Sequence, residues 1–98
     1  MQEGSFVHVH LIEPTERFWG KLIKLTEAGV ILRGIDVRQI EVFKYQFNKD
    51  ERMVFPQTIF FPMRRIQKVD LDEPMDELPS VIDSVIRVSG VDEDSLLS

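Results

Sequence analysis

The strict apolar–polar alternation of residues 6–12 constrains the fold most. Val7, Val9 and Leu11 fall on one side of an extended chain, and His8 and His10 fall on the other. A period of two with one apolar side predicts a half-buried strand, and such a strand needs partners. The sequence supplies four. Pro14 marks a turn at 13–16, and residues 17–25 form a second strand with Phe18, Gly20 and Leu22 on one face and Trp19, Lys21 and Ile23 on the other. Gly20 inside that strand predicts a sharp bend or a close backbone approach. Residues 26–29 make a tight connection, with Gly29 expected at positive φ after a type I turn. Residues 30–35 then pair antiparallel with the second strand. Residues 57–61 form a fourth strand, and Pro62 ends it or sits at its open edge because proline cannot donate to a ladder. Residues 65–71 form a fifth strand after a very short turn.

Two helices complete the pattern. Asp36 with Gln39 three residues on reads as a capping box, and Ile40, Phe43 and Phe47 recur at spacings of three and four. This predicts a helix over 37–47. The alternative is a strand, because Ile40, Val42, Phe43, Tyr45 and Phe47 are good strand formers; the cap favours the helix. Residues 48–52 are a polar loop. Pro79 and Ser80 open a second helix that runs to 89, with Asp83 as capping partner, an apolar stripe of Val81, Ile82, Val85 and Ile86, and Gly90 as C-cap. Residues 92–98 either add a helical turn or fray. The expected fold class is mostly β: a five-stranded antiparallel barrel with an inserted helix and a C-terminal helix. So short a sheet buries its apolar face best by curling on itself.

Composition narrows the function. A chain of 98 residues is one domain, 1–98. Within it, 6–71 form the barrel and 72–98 an acidic linker and helix. No cysteine is present, which removes disulfides, thiolate zinc sites and cysteine nucleophiles. There is no run of 18 apolar residues to span a membrane. The first five residues lack the build of a signal peptide, so a cytoplasmic location is expected. The net charge is −5, unevenly placed: residues 1–68 carry 8 acids and 11 bases, and residues 69–98 carry 9 acids and one base, Arg87. The acidic total argues against strong non-specific nucleic-acid binding, while a local basic patch stays open.

The order of these features resembles the Sm-like fold, the family of Sm, Lsm and bacterial Hfq proteins. Val7, Val9, Leu11, Gly20, Leu22 and Ala28-Gly29-Val30 stand where the first family motif has its alternating apolar residues, glycine, leucine and hairpin. Ile59-Phe60-Phe61, Met63-Arg64-Arg65, Ile66 and Val69 resemble the second motif of strand, tiny turn and strand. The likeness covers roughly residues 6–71. It departs where RNA-binding members carry Asp and Asn in the hairpin, since Thr26, Glu27 and Ala28 stand here. It departs again at the family's Arg-Gly, replaced by Pro62-Met63. The resemblance implies rings that close by joining strand four of one subunit to strand five of the next.

Several residues are candidates for function. Arg64, Arg65 and Lys68 form the best basic cluster, with Phe60 or Phe61 able to stack a base; pairing of the arginines with acids such as Asp70 is the competing reading. Trp19, Ile59, Phe60 and Ile66 are candidate interface residues, although a helix covering Trp19 fits as well. His8 and His10 lie about 6.6 Å apart along one strand face and would need a third ligand to hold a metal. The acids at 70–77 lack the spacing of a calcium loop and read as a solvated linker. Neither a phosphate loop nor a nucleophile elbow occurs. The expectation is a non-catalytic binding or assembly module without cofactor, acting through protein contacts and as a homo-oligomer joined through edge strands. RNA binding at the basic turn is the alternative, and an enzyme ranks third.

Overall fold

The structure, a computed structural model, describes residues 1–98. Strands β1 (Phe6–Leu11), β2 (Glu16–Leu25) and β3 (Gly29–Asp36) come first, and a 3-10 turn at Val37–Gln39 leads into α1 (Ile40–Gln46). Strand β4 (Gln57–Pro62), a 3-10 turn at Met63–Arg65 and β5 (Ile66–Leu71) follow, then α2 (Val81–Ser89) and α3 (Glu93–Leu96). All ladders are antiparallel, in the order β4-β3-β2-β1-β5.

That order forces a curl. The two outermost strands are joined by three residues, and the step from Pro62 to Ile66 reaches at most about 14 Å. A flat sheet would hold its edge strands about 19 Å apart. The linking turn is pinned at both sides: Met63 N–H donates to Ala28 O at 2.9 Å, and Ile12 N–H donates to Arg65 O at 2.8 Å. Across the concave face, Phe18 of β2 and Phe61 of β4 bring their rings to 4.9 Å, although β3 lies between those strands. No ladder joins β4 to β5. The expected mostly-β, five-stranded antiparallel sheet is present and curled; it is not closed, because β4 and β5 meet only at the corner made by residues 63–65.

Gly20 lies opposite Gly34 at the bend. A Cβ on Gly20 would stand 2.2 Å from Arg33 O, and one on Gly34 would stand 2.1 Å from Trp19 O. The close approach expected at Gly20 is present, and it takes two glycines. Gly29 has the expected positive φ, at 159°, a conformation that L side chains rarely adopt. Glycine is needed there for space as well, since a Cβ would meet Phe61 O at 2.1 Å.

The sheet has a core on each face. Val7, Val9, Leu11, Leu22, Val30, Leu32 and Phe61 fill the concave side, where the curl itself excludes water. Phe6, Trp19 and Ile35 line the convex side, covered by Phe43 of α1, Val54, Ile82 and Val85 of α2, and Leu96 and Leu97 at the C-terminus. β1 is thus buried on both faces, and the half-exposed strand expected is corrected by the helical layer over His8 and Trp19. The insertion after β3 is helical as the cap predicted. Asp36 accepts from Arg38 N–H at 2.8 Å, but the first turn is 3-10, and Gln39 makes no capping bond. Ser80 caps α2 by accepting from Asp83 N–H at 3.2 Å, and Gly90 closes it at φ 74°.

Candidate functional site

The free edges of the sheet belong to β4 and β5. Thr26 and Gly29 exchange two backbone hydrogen bonds, of 2.9 and 3.3 Å, to close the β2–β3 hairpin. Backbone groups alternate sides along a strand, so Val30 and Leu32 turn theirs toward Phe61 and Ile59 of β4. Thr58 and Phe60 then aim their N–H and C=O groups away from the sheet. Pro62 shares that parity, so its missing donor is lost from the outer edge and not from the β3 ladder. On the other side, Asp72 N–H donates to Phe6 O at 2.8 Å, and His8 and His10 face Asp70 and Lys68. Val69 and Leu71 therefore point their backbone groups outward. α2 packs on α1 and α3, and no strand or bridge pairs with either edge.

Four residues expected at an interface divide. Phe60 is 52% exposed on the β4 edge, and Ile59 and Ile66 are half-buried beside the edges. Trp19 is fully buried under the helices, so its place as an interface anchor is corrected. The basic turn is also divided. Arg64 is exposed and has no ion-pair partner, and Lys68 is exposed on β5. Arg65 is engaged within the fold: its Nε donates to Ile12 O at 3.2 Å, and its Nη2 donates to Pro14 O and Glu16 Oε1, both at 2.9 Å. Phe61 is 4% exposed and belongs to the concave core. It cannot stack a base there, which corrects that expectation.

Each histidine has its own carboxylate. His10 Nε2 lies 2.6 Å from Asp70 Oδ1, and His8 Nε2 lies 3.2 Å from Asp72 Oδ1. Asp72 was legible only as part of a solvated acidic run, yet its side chain is 2% exposed. It accepts from Val81 N–H (2.9 Å) and Ile82 N–H (2.8 Å) at the start of α2, and from Trp19 Nε1 (3.0 Å). Burial pushes its carboxyl up, but the His8, Val81, Ile82 and Trp19 donors outweigh this and hold it below the usual carboxylate range. The arrangement fastens the helical layer to the sheet. Neither histidine lines the clefts formed around residues 14–17, 34–39, 41–53 and 78–84. Nor do three His, Asp or Glu side chains gather where a metal could bind.

The cleft beside β4, of about 260 Å³, is lined by Phe18, Ile35, Met53, Phe55, Gln57 and Ile59 among others. Met53 and Phe55 escaped the sequence reading. The signal available was their alternation around Val54, which Gln46 holds inward by donating to Val54 O at 2.7 Å and accepting from Val54 N–H at 3.0 Å. No helix is long and apolar enough to cross a membrane. Compared with known proteins, the chain matches no family model, no curated protein and no solved structure.

Proposed function

We propose that the protein is a non-catalytic assembly module that joins copies of itself edge to edge, β4 of one copy with β5 of the next. The observation that carries this reading is the pair of unsatisfied outer edges. Thr58 and Phe60 on one side, and Val69 and Leu71 on the other, direct backbone donors and acceptors into solvent. Open edges of this kind template pairing with another chain. The strand order supports it further, because β4 and β5 are the strands that the Sm-like resemblance joins between subunits. An interface of this type is head-to-tail, and it forms a closed ring or a filament according to the rotation between neighbours.

Light scattering over a concentration series tests the reading. Assembly gives a mass that is a multiple of the 11.5 kDa chain. Thr58→Pro removes an outward N–H and leaves the inward ladder of β4 intact, so the variant stays folded and moves toward the monomer. A wild-type chain that remains at 11.5 kDa at every concentration rejects edge pairing.

A further inference from the structure

The four most exposed large apolar side chains of the protein are Met53 (77%), Met75 (71%), Leu78 (71%) and Phe55 (66%). They fall in two short segments, one immediately before β4 and one immediately after β5. Both segments are held in shape. Gln46 fixes Val54 inward, so Met53 and Phe55 face solvent on either side of it. Met75 and Leu78 close a tight turn by exchanging backbone hydrogen bonds of 3.0 and 2.9 Å, with Asp76 at φ 53°. These are pre-shaped surfaces, which lose little freedom on contact.

We propose that the turn at 75–78 of one copy seats on the strip around Met53 and Phe55 of the next. This contact rests on the edge pairing above and fixes its direction. If β4 pairs antiparallel with the neighbour's β5, the residues before β4 lie beside the residues after that β5, and the two apolar segments meet. Parallel pairing would leave all four side chains in water. The cleft of about 260 Å³ next to Met53 and Phe55 offers room for a side chain such as Leu78.

The charges agree with this occupant. Glu73, Asp76 and Glu77 surround the turn and carry no counter-ion within the chain. Lys49 and Arg52 flank the receiving strip, also without ion-pair partners, and Asp50 and Glu51 leave that loop neutral overall. The receiving loop is thus neutral and does not oppose the acidic turn, with Lys49 and Arg52 free of ion pairs.

Complementation between two broken chains tests the contact. Met75→Glu with Leu78→Glu disables the turn, and Met53→Glu with Phe55→Glu disables the strip. All four sites are exposed, so circular dichroism should match the wild type. Each double variant alone should weaken association at least tenfold by sedimentation velocity. Mixed together they hold one intact junction per pair, so the expected product is a 1:1 dimer of twice the chain mass that grows no further. Two results overturn the proposal. If both double variants assemble like the wild type while Thr58→Pro does not, edge pairing stands and the turn contact falls. If the wild type is monomeric, edge pairing itself fails, and the contact between the two apolar segments falls with it.

Discussion

Asp72 brings a carboxylate into a nearly dry corner and gives it four donors. Removing it leaves Trp19 Nε1, His8 Nε2 and two helix amides without their acceptor, so Asp72→Ala should cost about 2–4 kcal/mol in urea denaturation at neutral pH. Its acidity has a definite sign. Because the folded carboxyl is held below its ordinary value of 3.8, its contribution is fully present above that value and is lost as pH falls through the lower folded value. Asp72→Asn should therefore flatten the acid limb of a stability-versus-pH curve, measured by urea midpoints from pH 6 down to pH 2. The two arginines of the 63–65 turn offer a contrast. Arg65→Ala removes three hydrogen bonds to the β1–β2 connection and should cost about 1–2 kcal/mol. Arg64→Ala touches no partner and should leave the urea midpoint unchanged.

At the scale of the element, caps were the most legible feature. Asp36, Ser80 and Gly90 each stand where the residue type places them, because a cap depends on a few neighbouring residues and on nothing distant. Asp36→Ala should cost about 1 kcal/mol by thermal or urea denaturation. α1 was decided by the same logic: its cap and the spacing of Ile40, Phe43 and Phe47 outweighed a strand-forming composition, and Phe43 is 1% exposed in the convex core. Other features stayed illegible because their causes are far away in sequence. Asp72 resembles its solvated neighbours Asp70 and Glu73 until α2 folds back over it. Trp19 and Phe18 were legible as facing opposite sides, but not which side the helices would cover. Gly29 was legible as a positive-φ position, but not as one where the β4 carbonyl of Phe61 also blocks a Cβ. Both obstacles begin at Cβ itself, so Gly29→Ala should already destabilise by roughly 1–3 kcal/mol in urea denaturation, with valine adding to it.

At the scale of the molecule, the sheet is one surface bent until its ends almost touch, with a helical layer on its convex side and two unsatisfied edges. Its strand order also dictates a schedule. β1–β2, β2–β3 and β3–β4 are neighbours along the chain, with α1 inserted before β4, whereas β5 must return to β1 across some sixty residues of chain. Closing so long a loop is the entropically costly step in assembling such a sheet. Val69→Ala, on the β1–β5 ladder, should therefore speed unfolding and scarcely slow folding, while Leu32→Ala in the central strand should slow folding, as read from stopped-flow chevrons. During synthesis, β1 is the first of the five strands to leave the ribosome and the last to gain its second neighbour. Until residues 66–71 emerge, the nascent chain carries a bare β1 edge flanked by Val7 and Val9. A neighbouring nascent chain on the same message offers the matching strand at the moment when mispairing is easiest.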